Sequence, residues 1–100
     1  GRYYLGVYPT SSGYKTFRIE PCLGGLEWMK GTVPVNEGKV ELNVTSTEII
    51  VKSTIDGGTL VIQSAVAPKG QNAVFNSNRK NQYELLIKAG IEYRISYKEI

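Results

Sequence analysis

Six consecutive residues, Lys39-Val40-Glu41-Leu42-Asn43-Val44, alternate strictly between polar and apolar side chains. In an extended strand successive side chains point to opposite faces, so Val40, Leu42 and Val44 form a buried face while Lys39, Glu41 and Asn43 meet water. A helix would scatter the same residues around its circumference. The pattern continues over Thr47–Ser53, with Ile49 and Val51 directed inward, and over Thr59–Ser64, with Leu60 and Ile62 inward. Later, Tyr83, Leu85 and Ile87 alternate, and Tyr93, Ile95 and Tyr97 alternate again. Composition points the same way: Val, Ile and Thr total 25 residues, against 15 for Ala, Leu, Met and Gln, so strands are the default state. Asp56-Gly57-Gly58 and Ala89-Gly90 lie between successive alternating runs and read as hairpin turns, because glycine accepts the positive φ of a tight reversal.

The first third is punctuated by proline and glycine. Arg2–Val7 reads as a short helical turn stopped by Gly6 and Pro9, followed by a loop at Thr10–Gly13. Thr16–Glu20 reads as a strand that Pro21 ends or confines to an edge. Leu26–Val35 reads as a strand bent or bulged at Gly31 and Pro34. Residues 66–82 hold Pro68, Gly70 and four asparagines and are expected to form a loop with one short strand around Val74. One hundred residues suffice for a single modest core. The expected fold is all-β, an antiparallel two-layer β-sandwich of seven to eight strands with a short helical turn at the N-terminus.

The side chains that are missing narrow the chemistry. The chain contains no histidine, which removes Ser-His and Cys-His nucleophile pairs. Asp56 is the only aspartate and the eight glutamates are spread from Glu20 to Glu99, so no metal site is expected, and no cofactor either. Neither a dinucleotide fingerprint nor a phosphate loop occurs around Gly24-Gly25 or Gly57-Gly58. Net charge is +3, with the bases dispersed and only Arg79-Lys80 adjacent, so no nucleic-acid partner is expected. No run nears the ~20 apolar residues of a membrane helix, and no membrane partner is expected. Cys22 stands alone, ruling out an internal disulfide, and reads as a small buried filler because no base accompanies it.

Between residues 6 and 34 the chain carries a series of ordered anchors. They are Gly6-Val7-Tyr8-Pro9, then Gly13-Tyr14-Lys15-Thr16-Phe17-Arg18-Ile19-Glu20-Pro21, then Leu23-Gly24-Gly25-Leu26-Glu27-Trp28-Met29-Lys30-Gly31-Thr32-Val33-Pro34. This run resembles the C-terminal β-sandwich domain of bacterial α-L-rhamnosidases. The resemblance implies an upstream (α/α)6 barrel that hydrolyses terminal α-L-rhamnose with inversion, using glutamates that belong to the barrel. By that reading residues 1–13 are the linker from the catalytic barrel and residues 14–100 the accessory sandwich. The implied partner is the barrel of the same parent chain, with carbohydrate as a second candidate. The implied setting is periplasmic or extracellular rather than cytoplasmic.

Tyr8, Tyr14 and Trp28 are the candidate carbohydrate or interdomain contacts. Trp28 suits the core, an interface anchor or a sugar-stacking platform, with core or interdomain packing the ordinary case. Tyr3, Tyr4, Tyr8 and Tyr14 are candidates for a seam against the barrel, while Tyr83, Tyr93 and Tyr97 are expected to cover the core with their hydroxyls in water. Glu20 and Glu27 are the only pair that invites thoughts of glycoside cleavage, and the simpler reading is solvated carboxylates pairing with Lys15 and Arg18. No catalytic residue is expected. Asn43-Val44-Thr45 fits a glycosylation acceptor that a bacterial protein would leave idle.

Overall fold

The computed structural model describes the backbone of residues 4–100 and the side chains of residues 5–100. Arg2 and Tyr3, and with them part of the expected helical turn and seam, lie outside the described residues. The described residues form ten strands: β1 Val7–Pro9, β2 Phe17–Ile19, β3 Trp28–Val35, β4 Gly38–Thr45, β5 Glu48–Ser53, β6 Gly58–Gln63, β7 Lys69–Gly70, β8 Asn76–Arg79, β9 Gln82–Ile87 and β10 Glu92–Ser96. Among the described residues two short 3-10 turns, Tyr4–Gly6 and Ser12–Tyr14, accompany them. One sheet has the order β1-β2-β6-β9-β8 and the other β3-β4-β5-β10-β7. Every pairing is antiparallel except β2 with β6, which run parallel.

The period-two pattern places the core between the sheets. Val40, Leu42 and Val44 of β4 and Ile49 and Val51 of β5 are buried, facing Phe17, Ile19, Leu60, Ile62, Leu85 and Ile87 of the other layer in one apolar cluster. Burial of such side chains, at about 1.5–3 kcal/mol each, is the main favourable term holding the two layers together. The strand β3 pairs with β4 without interruption from Trp28↔Thr45 to Val35↔Gly38, so the bulge expected at Gly31 and Pro34 does not form. Pro34 is tolerated because its partner Lys39 turns its backbone the other way: the Thr54 N–H donates to the Lys39 carbonyl at 3.0 Å, and the Lys39 N–H donates to Thr54 Oγ1 at 2.9 Å. Pro34 thus faces the open edge of the sheet, where its missing donor breaks no ladder bond.

Both expected hairpin turns are something else. The strands β5 and β6 lie in different sheets, as do β9 and β10, so residues 54–57 and 88–91 are arches that carry the chain from one layer to the other. Gly57 and Gly90 take the expected positive φ, 105° and 78°, within these arches, and Gly58 adds a close approach. A Cβ on Gly58 would sit 2.6 Å from Phe17 Cε2, and the Phe17 N–H donates to the Gly57 carbonyl at 3.0 Å, which lets β2 lie directly beside β6. The two arches bind one another: Asp56 Oδ1 accepts the Ala89 N–H at 2.8 Å and the Ser53 carbonyl accepts the Gly90 N–H at 2.8 Å. True hairpins connect β3 to β4 and β4 to β5, with Asn36 supplying φ 46° in the first.

Other boundaries differ in detail. Strand pairing begins at β1, which pairs with β2 from Val7↔Ile19 to Pro9↔Phe17. The region 66–82 holds two short strands, β7 and β8, and Val74 belongs to neither. Val61 is 1% exposed although it alternates with the inward Leu60 and Ile62. The central strand β6 is therefore covered on both faces.

Candidate functional site

The two ends of the sandwich are distinguishable from the strand pairings. One end gathers the start of β1, the end of β2, the start of β3, the β4–β5 turn, the end of β6 and the end of β10, because Val7 pairs with Ile19, Trp28 with Thr45, and Ser96 with Glu48. We call this the upper end. The lower end carries the two arches and the Asn36–Glu37 turn.

Trp28 is the first residue of β3, at the upper end, and is 62% exposed. That excludes the core role. It alternates with buried Met29, so its indole stands on the outward face of its sheet with Lys30 and Thr32, opposite Thr45. On the same face, starting two residues along the strand at Lys30, is a shallow groove of about 190 Å³ lined by Lys30, Thr32, Glu41, Asn43, Lys52 and Glu92 around Ile50; Trp28 does not line it. Tyr8 sits midway along β1 in the other sheet, half-buried, with its hydroxyl donating to Glu20 Oε1 at 3.5 Å. Tyr14 takes φ 59° at the lower end and packs its ring on the core. The fold therefore does not bring Tyr8, Tyr14 and Trp28 together: they occupy one edge strand, the lower end and the upper end respectively.

The other candidate groups fall at both ends, some bonded and some exposed. Glu20 is held by Arg18, whose Nε lies 3.1 Å from Glu20 Oε1, while Glu27 is exposed on the β2–β3 connection and Lys15 joins none of the ion pairs of the described residues. Cys22 is exposed, which corrects its reading as a buried filler: Pro21 turns the chain outward, and the apolar place beneath is taken by Leu23, 4% exposed. The Tyr97 hydroxyl donates to the Thr45 carbonyl at 2.5 Å, and its pKa is raised from 10 to about 12, first by burial and then by the charges of Glu99 and Cys22. The Tyr93 hydroxyl, buried with its ring, accepts the Lys88 N–H at 3.1 Å. Both hydroxyls bond to backbone groups instead of reaching water, because burying a phenol without a partner costs more than the bond returns in solvent.

Pro21, Leu23, Ile49, Ile62, Tyr97 and Ile100 line a recess of about 220 Å³ in the upper end. Its walls are mainly apolar. No group of three or more metal-ligating side chains occurs among the described residues, and no described helix is long and apolar enough to cross a membrane. Leu26, Val66 and Ile100 join Trp28 as strongly exposed apolar residues of this end. The sequence reading passed over them. The one available signal was the apolar Leu26 two residues from Trp28 on a glycine-flanked connection, where a strand with one buried face would leave a polar residue.

A comparison with curated proteins finds no match. A comparison with protein-family models matches residues 6–56, which include all the anchors from Gly6 to Pro34 together with β4, β5 and the first arch as far as Asp56. The matching model covers just over half of the chain, and the protein belongs to the bacterial alpha-L-rhamnosidase C-terminal domain family.

Proposed function

We propose that this chain is the noncatalytic accessory domain of a bacterial α-L-rhamnosidase, packing on and stabilising the catalytic (α/α)6 barrel that precedes it in the parent polypeptide. The family match carries this reading. The side chains agree with it: the two carboxylates nearest to a candidate pair, Glu20 and Glu27, are respectively committed to Arg18 and exposed on a loop. Glycoside cleavage needs two carboxyl groups converging on one bond, and a carboxylate committed to an ion pair and another on an exposed connection do not make that arrangement. The test is turnover of an aryl α-L-rhamnoside by the parent enzyme carrying Glu20→Gln and Glu27→Gln together. Unchanged turnover is expected, and a collapse of kcat would overturn the assignment.

One observation favours a second reading, an independent carbohydrate-binding module. The exposed indole of Trp28 shares its sheet face with a groove that begins at Lys30 and carries hydroxyl, amide and carboxylate groups, and an aromatic face and such groups on one surface suit a sugar ring. Titration of the chain with rhamnose and rhamnosyl oligosaccharides, followed by amide chemical shifts, separates the two. Movement localised at Trp28, Lys30 and Asn43 supports the module, and silence supports scaffolding.

A further inference from the structure

Six large apolar side chains of the described residues are strongly exposed, and they are not scattered. Leu26 and Trp28 are each 62% exposed, Val66 51% and Ile100 70%, and all four belong to the upper end. Leu26 and Trp28 flank the start of β3, Val66 follows the end of β6, and Ile100 follows β10, where the Ala65 N–H donates to the Lys98 carbonyl at 2.8 Å. Val74 and Leu86 lie elsewhere; Leu86 is paired with Thr59 toward the lower end. Exposed leucine or valine on its own is unremarkable, whereas four such residues at one end, one of them (Ile100) lining a mainly apolar recess there, mark a contact surface.

The chain itself identifies what covers that surface. It comes into the sandwich at the same end: the Gly6 carbonyl accepts the Glu20 N–H at 2.9 Å immediately before β1, and the Tyr4–Gly6 turn packs against β2 and β3. Gly6 takes φ 76°, and a Cβ there would collide with the Glu20 carbonyl, so the incoming chain is pressed onto the connection that leads to Leu26 and Trp28. A domain preceding this one, as the proposed accessory role requires, is therefore led to the upper end and not to the arches. A short covalent connection keeps its effective concentration high, so a modest apolar surface suffices for lasting contact.

We infer that the upper end is the docking surface for the catalytic domain preceding this one, with Trp28 and Leu26 as the anchors on this side and the recess between Leu23, Ile49, Ile62 and Tyr97 receiving an apolar side chain from the other. This inference rests on the proposed accessory role and adds the surface and the contacts through which it is exercised. Tryptophan at the centre of an interface is commonly among the few residues that carry its energy.

Hydroxyl-radical footprinting of the full-length parent enzyme reads side-chain accessibility directly, with the urea-unfolded parent as the reference for intrinsic reactivity. The expected result is that Trp28, Leu26 and Cys22 are oxidised at least about fivefold more slowly in the native enzyme, as for anchors withdrawn from water, while Leu86 stays close to its reference rate. A parent carrying Trp28→Lys should regain oxidation at Leu26 and Cys22 and lose rhamnosidase activity faster on heating, whereas Leu86→Lys should do neither. Protection of another face, such as the groove around Ile50 or the surface at Leu86, with Trp28 freely oxidised, would overturn this surface while leaving the accessory role standing. No protection of any face would overturn both.

Discussion

Replacing Gly58 with alanine tests the closest contact in the core. The Cβ would stand 2.6 Å from Phe17 Cε2, 2.8 Å from Cζ and 3.3 Å from Cδ2. Phe17 is 1% exposed and hemmed in by the core cluster, so its ring has nowhere to retreat without displacing neighbours. Overpacking of this kind costs about 1–3 kcal/mol. The φ of Gly58 lies outside the left-handed region, so alanine also restricts the unfolded chain, which returns about 0.4–1 kcal/mol. The net expectation is a loss of about 1–2 kcal/mol, or roughly 5–15 °C in Tm for a domain of this size. Urea unfolding followed by far-ultraviolet circular dichroism measures it; the single tryptophan, Trp28, is too exposed to report on the core. Phe17→Leu provides the control, because it removes the ring atoms that the new methyl would strike. In that background Gly58→Ala should be neutral or stabilising, giving a coupling of about 1–2 kcal/mol between the two positions. Additive losses, or a Gly58→Ala variant as stable as the wild type, would refute the claim that β2 and β6 are held at this distance by a missing side chain.

Three further outcomes follow from the hydrogen bonds. Tyr97 keeps its proton to about pH 12 in the fold against an ordinary 10, so its contribution to stability is whole below pH 10 and is lost as pH rises to 12; in Tyr97→Phe the fall in urea midpoint over that window should be shallower than in the wild type. Ser64 is fully buried, its Oγ donating to the Val66 carbonyl at 2.5 Å and accepting the Lys98 N–H at 3.1 Å, so Ser64→Ala leaves that carbonyl and N–H without their side-chain partner and should cost about 1–3 kcal/mol by the same unfolding assay. Asp56→Ala unfastens one arch from the other and should speed hydrogen exchange at Ala89 by about fivefold to tenfold, equivalent to about 1 kcal/mol, while Asp56→Asn retains an acceptor and should lose less.

The inward residues of β4, β5 and β6 were legible because a strand with one wet face writes its geometry into the sequence at every second position. What the same pattern does not encode is the partner of each strand. Val51 and Leu60 alternate identically whether the four residues between β5 and β6 reverse within one sheet or cross to the other. The difference lies in contacts that are distant in sequence, Phe17 over Gly58 and Asp56 to Ala89. Leu60-Val61-Ile62 did carry a clue: three apolar residues in succession suit a central strand covered on both faces, and β6 is central in its sheet. Trp28 shows the opposite limit. Its strand position was readable, but the phase of β3 depends on which of its faces meets β4 and the core, and Met29 took the inward place. Cys22 was misread for a related reason, since burial of a small residue beside a proline turns on which way the loop faces.

The contrast between the two ends bears on how such a domain works. At the lower end the arches satisfy one another through Asp56–Ala89 and Ser53–Gly90, and Thr54 closes on Lys39, while exposed Leu86 and Val74 lie beside the second arch. The upper end is stitched as firmly in its backbone, by Ala65–Lys98, Tyr97–Thr47 and Glu99–Ser46, yet it leaves its large apolar side chains outside those bonds. Stability of the sandwich therefore does not require Trp28 or Leu26 to be covered. An indole with about 60% of its surface in water offers on the order of 150 Å², worth about 4 kcal/mol before the costs of association are subtracted. That free energy is available only to a second body arriving at this end, and it comes from residues whose removal leaves the core of Ile19, Leu60 and Ile95 untouched. Folding and docking thus draw on separate sets of side chains, which lets the domain hold its shape while its contact surface changes to suit its neighbour.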